Sequence, residues 1–198
     1  MKLKLFFIFF GSLIVFFTSI SHSYSIEPDV FVQSTVNRAS QALSGQLSKD
    51  QKIDKLKTIA AETVDIKGIG MYTLGSFRKA LSEDEKKQYD ALFEKYFLKT
   101  FSSRLAEYSN PEIEVKSKEI LNKNYTMVSS ILIATEQRPE VNIDWRIYTK
   151  DINNLKIRDL IIEGLSLART QKEEFASIIQ SNDGDINVLF ANLKEFIK

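Results

Sequence analysis

The chain has 198 residues, with 27 Lys and Arg against 26 Asp and Glu, one histidine and no cysteine. That near-neutral balance, with no basic block, lacks the electrostatic footprint of a nucleic-acid binder. Beyond His22 there is neither histidine nor cysteine, which excludes a Ser-His-Asp triad, a thiol nucleophile and an N/S zinc site. Non-enzymatic binding is therefore the leading class, with no catalytic residue and no metal expected.

Residues 1–25 read as an export signal. Lys2 and Lys4 make a basic start, Leu5 to Phe17 is an uncharged apolar run, and small residues follow at Ser19, Ser21, Ser23 and Ser25. The apolar run is too short to span a bilayer, so a secretory signal peptide cleaved after Ser25 or Ser23 is expected. No cysteine follows to carry a lipid anchor. The expected product is a single exported, soluble domain over residues 26–198, large enough for its own core.

Glu27 to Leu43 reads as a helix, with Pro28 in its first turn and Val30, Phe31, Val36, Ala39 and Leu43 near helical spacing. Ser44-Gly45 breaks it. Ser48 with Gln51 is a capping box opening a second helix, whose apolar stripe is Ile53, Leu56, Ile59, Ala60 and Val64. Asp65 then caps a short helix, expected to run to Phe77. Its glycines, Gly68, Gly70 and Gly75, match neither the dinucleotide fingerprint nor the phosphate loop, and no strand precedes them. No nucleotide site is expected. Close packing or a bend is the plain explanation for these glycines, and room for a ligand or a small hinge the sharper one.

A second capping box, Ser82 with Glu85, opens a long helix with Glu83 and Asp84 at its positive dipole end. Its stripe is Tyr89, Leu92, Phe93, Tyr96, Phe97, Phe101, Leu105 and Tyr108, rich enough in aromatic rings to wall a cavity as well as fill a core. Ser109-Asn110-Pro111 stops it. Four strands are then expected: Glu112 to Lys118, Tyr125 to Thr135, Val141 to Lys150 and Leu155 to Glu163, joined by short turns that require antiparallel neighbours. Val141, Ile143, Trp145 and Ile147 share a face; Tyr125, Met127, Ile131 and Ile133 share another. The second strand reads as covered on both sides and central. In the fourth, Ile157, Asp159 and Ile161 share a face by alternation, so Asp159 interrupts an apolar row and needs a partner; Arg146 or Arg158 qualifies only if the geometry brings it round the sheet edge. After Glu163-Gly164, a helix at Thr170 to Ile179 and a last amphipathic one with Ile186, Leu189, Phe190, Leu193, Phe196 and Ile197 on one side complete the chain. That last stripe lacks the basic flank of a membrane-surface helix and is expected to pack. The fold class is α+β, helices packed on a curved, roughly four-stranded antiparallel sheet.

The stretches VDIKGIGMYTLGSFRKALSEDEKKQYDALFEKYFLKTFSSRLAEY, VNIDWRIY and LKIRDLIIEGLSLARTQKEEFASII carry a family resemblance. With Asp144-Trp145-Arg146 and Glu163-Gly164-Leu165-Ser166-Leu167 in order, the chain resembles the MlaC family of periplasmic phospholipid-binding proteins of the Mla intermembrane lipid-transport system. That family is also described as the toluene-tolerance auxiliary component of an ABC transporter. Phe77-Arg78 stands where the family usually has Trp-Arg or Tyr-Arg, and Gly68 and Gly70 where other members carry bulkier residues.

The resemblance implies a deep apolar cavity holding the acyl chains of a glycerophospholipid, with the head group toward solvent. It implies a soluble periplasmic shuttle between an outer-membrane lipoprotein–porin complex and an inner-membrane ABC transporter complex with an MCE subunit, in the maintenance of outer-membrane lipid asymmetry. No cofactor, nucleotide or nucleic acid is implied, and a monomer is expected. The lining expected here is Ile69, Tyr72, Leu74 and Phe77 from the short helix, and Leu92, Phe93, Tyr96, Phe97 and Phe101 from the long one. The sheet is expected to add Met127, Ile131, Ile133, Val141, Ile143, Trp145, Ile147, Ile157 and Ile161. On charge alone, Arg78, Arg146 and Arg158 are candidate neighbours of a phosphate, with surface ion pairing the ordinary alternative. Two other readings make distinct demands. An enzyme acting on a lipid or peptidoglycan fragment needs two of Glu62, Asp65, Asp144 and Asp159 to converge in a cleft. A non-catalytic interaction module needs a packed core with no void, and the carrier a charge-poor cavity.

Overall fold

Both capping boxes form, and they set the helical layer. The computed structural model describes residues 26–108 and 111–198; the expected signal peptide and the first two residues of the Ser109-Asn110-Pro111 stop lie outside them. Helix α1 (Pro28–Ser44) begins on Pro28. Helix α2 (Lys49–Thr63) opens with the Ser48 amide donating to Oε1 of Gln51 at 3.0 Å and the Gln51 amide to Oγ of Ser48 at 3.2 Å. Helix α4 (Glu83–Leu105) repeats this with Ser82 and Glu85. Between them, α3 (Ile66–Thr73) is capped by Asp65, whose Oδ1 accepts the Gly68 amide at 2.8 Å. The helix expected to reach Phe77 stops at Thr73, because Gly75 takes a φ of +56°, and Phe77–Lys79 forms a separate single turn.

Gly70 of α3 allows close packing against α4. A methyl group at Gly70 would sit 2.8 Å from Cδ1 of Phe93 on α4. Beside this contact Thr73 Oγ1 donates to the Gly70 carbonyl at 2.8 Å and so accepts the Tyr89 hydroxyl, also at 2.8 Å. Burial pushes the Tyr89 phenol above its ordinary pKa, which keeps it protonated as that donor.

The sheet has five strands in the order β1-β2-β3-β4-β5, all neighbours antiparallel. They are β1 (Ile113–Asn122), β2 (Tyr125–Leu132), β3 (Val141–Tyr148), β4 (Lys156–Ile162) and β5 (Leu165–Ser166). The fifth strand arises because Glu163 and Gly164, with φ of 47° and 79°, form a two-residue hairpin turn instead of ending the sheet. Strand β2 lies inside the sheet between β1 and β3, as expected, but only one of its faces is buried and the other is half-exposed. Strand β1 runs past Lys118, and its far end carries Ile120 and Leu121 into solvent.

One face of the sheet meets the helices. Val128, Ile143, Trp145 and Ile147 lie there in one core with Tyr89, Leu92 and Phe93 of α4. Helices α5 (Leu167–Gln180) and α6 (Ile186–Ile197) complete this core with Phe175, Ile179, Leu189, Phe190 and Leu193, so the last apolar stripe packs as expected except at Phe196, which stays exposed. The indole of Trp145 donates to Ser130 Oγ at 2.8 Å, which satisfies its one polar atom. A register shift corrects the reading of β4. Arg146 pairs with Asp159 but Ile147 pairs with Ile157, leaving Arg158 as the extra residue of a bulge. Ile157 therefore joins Ile147 in the core, whereas Asp159 and Ile161 face the opposite side with Arg146 and Met127.

Replacing Gly70 with alanine tests the close contact. In an open helix the change stabilises by roughly 1 kcal/mol, but overpacking against Phe93 costs about 1–3 kcal/mol. A net loss of about 1 kcal/mol is expected on those terms, read as a lowered Tm. A Tm at or above that of the unsubstituted protein would show that α3 and α4 do not need the bare backbone.

Candidate functional site

A cavity of about 420 Å³ opens between α3, the start of α5, the Asp159 side of the sheet and the end of the β1–β2 hairpin. Gly68, Ile69 and Tyr72 supply the α3 wall, Leu121, Asn122 and Tyr125 the hairpin wall, and Arg146, Arg158, Asp159 and Ala168 the rest. A smaller cavity of about 160 Å³ adjoins it, lined by Tyr72, Arg146, Ile161, Gly164, Ser166 and Arg169. Tyr72 and Arg146 belong to both.

Asp159 organises the wall between them. It is buried, and its carboxylate accepts Ser166 Oγ at 2.6 Å and the Ala168 amide at 3.0 Å, with Arg146 NH1 at 3.5 Å. The partner required by a buried carboxylate is thus Arg146, delivered by cross-strand pairing, reinforced by the start of α5. Arg158, the bulge residue, turns instead to Asp65 at 2.6 Å and lies 4.6 Å from the Tyr148 ring centre. A side chain at Gly68 would collide with that guanidinium, since its first carbon would stand 2.6 Å from Cζ. The cavity is consequently not charge-poor. Charge gathers along one wall and apolar surface along the other.

The expected lining is divided by the fold. Ile69 and Tyr72 line the larger cavity, and Tyr72 and Ile161 the smaller one, with Arg146 in both. Leu74, Leu92, Phe93, Ile143, Trp145, Ile147 and Ile157 are core residues, and Phe77, Tyr96, Phe97, Phe101 and Val141 pack half-buried against them. Met127, Ile131 and Ile133 are half-buried, and Met127 and Ile131 project from the opposite sheet face, so they cannot share one cavity with Trp145 and Ile147. Arg78 donates to the Met71 carbonyl and lines neither cavity. Leu121, Tyr125, Ala168 and Arg169 were not anticipated. Leu121 lies beyond Lys118, where the expected strand ends, and Arg169 ahead of the expected helix, because α5 starts three residues earlier than its periodicity suggests.

The four carboxylates of the enzyme reading do not converge. Glu62 pairs with Arg38, Asp65 with Arg158, Asp144 with Ser129, and Asp159 with its own knot. Among the described residues no cluster of three or more His, Cys, Asp or Glu could hold a metal ion, and no helix is long and apolar enough to cross a membrane.

Helices packed on an open antiparallel meander, with a part-apolar, part-cationic cavity at its edge, define an α+β fold with a binding cavity. It matches the structure of a phospholipid-binding protein from Ralstonia solanacearum in complex with a phospholipid, with a TM-score of 0.73. The match covers 87% of this chain and 97% of that one at 22% sequence identity. The family model for the MlaC protein matches residues 32–195, and the chain belongs to the MlaC family.

Replacing Asp159 with alanine would leave Ser166, Ala168 and Arg146 without their acceptor. A loss of about 3 kcal/mol is expected from removing one partner of a buried charged network, read as a shifted urea midpoint. A loss below about 1 kcal/mol, the value of an ordinary hydrogen bond, would show that the knot does not hold β4, β5 and α5 together.

Proposed function

We propose that this chain is a periplasmic carrier that takes up glycerophospholipid by its acyl part and moves it between membrane complexes. The observation that carries the reading is the 420 Å³ cavity, whose apolar wall of Ile69, Tyr72 and Leu121 faces guanidinium groups across one opening. That is amphiphile geometry. Each buried methylene contributes about 0.8 kcal/mol, so a sixteen-carbon chain represents on the order of 12 kcal/mol that would be lost on crossing water unaccompanied. A cavity only about as favourable as the bilayer can both load and release such a chain.

Volume limits what this conformation holds. At about 420 Å³ the cavity lies near the low end of the roughly 300–1,000 Å³ that holds one drug-sized ligand, short of two acyl chains. Full loading therefore requires the α4 stripe of Leu92, Phe93, Tyr96, Phe97 and Phe101 to part from the sheet face of Val141, Ile143, Trp145 and Ile147. On this reading those core residues become lining when lipid enters. Membership of the MlaC family supports the named docking partners, an outer-membrane lipoprotein–porin complex and an inner-membrane MCE-subunit ABC transporter, with ATP used there. The bound phospholipid of the Ralstonia solanacearum protein supports the ligand class.

Native mass spectrometry of the secreted protein, followed by lipid extraction, tests the reading. A stoichiometric phospholipid adduct is expected; a clean apo mass with no uptake from liposomes would overturn it in favour of an interaction module. Leu121→Glu gives a site-directed check, because Leu121 is exposed enough to be replaced without unfolding. Losing about 1.5 kcal/mol of apolar contact corresponds to roughly tenfold weaker uptake, at unchanged Tm. Undiminished uptake would place the acyl chain elsewhere.

A further inference from the structure

The smaller cavity adds Gly164, Ser166 and Arg169 to three residues that the carrier reading already names, Tyr72, Arg146 and Ile161. At about 160 Å³ it is less than half the size of the larger cavity, the scale of a small polar group and not of an acyl chain. Two of its six lining residues are arginines, from different elements, Arg146 on β3 and Arg169 on α5.

Neither guanidinium is used up by its surroundings. Arg146 reaches Asp159 only at 3.5 Å, and that carboxylate already accepts Ser166 and the Ala168 amide at shorter range. The Arg146 side chain is 40% exposed against 2% for Asp159, so its remaining N–H groups face the cavities and not the knot. Among the described residues Arg169 has no carboxylate partner. Glu163, the nearest acid in the turn, is engaged by the Asn142 amide. Lys172, one turn along α5 from Ala168, lies 5.3 Å from the Tyr72 ring centre and adds a third cation to the rim. The start of α5, a helix of 14 residues, points its positive end at the same place. Among the described residues Asp159 is the one carboxylate lining the two cavities, and its oxygens already accept from Ser166, the Ala168 amide and Arg146.

We propose that this cavity, between Arg146 and Arg169, is a subsite for a phosphate oxyanion, placed to hold the phosphate of an amphiphile whose apolar part occupies the adjoining larger cavity. Planar guanidinium forks match phosphate oxygens bidentately. Two forks from different elements, over a tyrosine shared by both cavities, join the polar and apolar ends of one ligand. The assignment to a lipid phosphate rests on the carrier reading; the oxyanion chemistry itself does not.

The test uses the delipidated protein with phosphatidylglycerol vesicles and, separately, dispersed diacylglycerol of the same acyl chains, with bound lipid read by native mass spectrometry. The unsubstituted protein is expected to favour phosphatidylglycerol at least tenfold. Arg169→Gln removes an exposed side chain, so it should keep Tm and diacylglycerol uptake while reducing that preference several-fold. Arg146→Lys keeps a positive charge beside Asp159 but loses the fork, and should reduce it similarly. A parallel titration follows the ³¹P line width of inorganic phosphate with lipid-free protein. Broadening abolished by Arg169→Gln, without any lipid preference, would assign the subsite to free phosphate. The same lipid preference in all three proteins, with no phosphate broadening, would overturn the subsite and leave the carrier reading standing. No uptake of either lipid by the unsubstituted protein would overturn the carrier reading, and the phosphate titration would then decide the subsite alone.

Discussion

A carboxylate inside a protein must find donors for both of its oxygens, and here that demand ties together the part of the molecule where the cavities lie. Asp159 binds Ser166 and Ala168, so the two-residue strand β5 and the first turn of α5 are held against β4. It also draws Arg146 from β3. The three donors come from three different elements, β3, β5 and α5, which makes the cavity wall a consequence of satisfying one buried charge. Ser166 serves twice, donating to Asp159 and accepting the Arg169 amide as the cap of α5. The helix that carries Arg169 therefore starts where the carboxylate needs it to start.

The opposite wall depends on missing side chains. Gly70 lets α3 come close enough to α4 for Phe93 to fill the space a methyl would take, and Gly68 clears the path of the Arg158 guanidinium toward Asp65. Asp65 does two jobs in turn, capping α3 through Oδ1 and holding Arg158 through Oδ2. The Asp65 amide also donates to the Ile157 carbonyl at 3.0 Å. The junction of α2 and α3 is thereby fastened to the first residues of β4 by backbone and ion pair together. A short helix with weak intrinsic propensity is held in place by tertiary contacts on both sides.

Between these walls the sheet acts as a partition. Its core face meets aromatic-rich helices: Phe93 of α4 stands 6.2 Å from Phe175 of α5 in an edge-on pair, and Tyr89 5.7 Å from Phe93 in a stacked one. Its other face is half-exposed and carries Asp144, Arg146 and Met127. Apolar residues consequently serve two different ends, most sealing the core and a few at the sheet edge and hairpin leaving a cavity open. Hydrophobic packing and ligand binding use the same side chains, and only the position of the backbone separates them.

Local chemistry was legible in the sequence by itself. The capping boxes at Ser48 and Ser82, the Asp65 cap, the antiparallel succession of strands and the packing of the last helix all follow from interactions within a few residues of one another. So does the face shared by Ile143, Trp145 and Ile147, because alternation along a strand is a property of the backbone. The family was legible too, from Asp144-Trp145-Arg146 and the Glu163-Gly164-Leu165-Ser166-Leu167 run. What only the tertiary structure decided were relations between strands. The bulge at Arg158 moved Ile157 into the core and left Asp159 and Ile161 behind, since register depends on the partner strand as well as on the strand itself. It also decided which apolar residues line space and which fill it, bringing Leu121 and Arg169 to the cavities and leaving Arg78 outside them. Cavities are what remains after every element has packed, so no spacing along the chain encodes them.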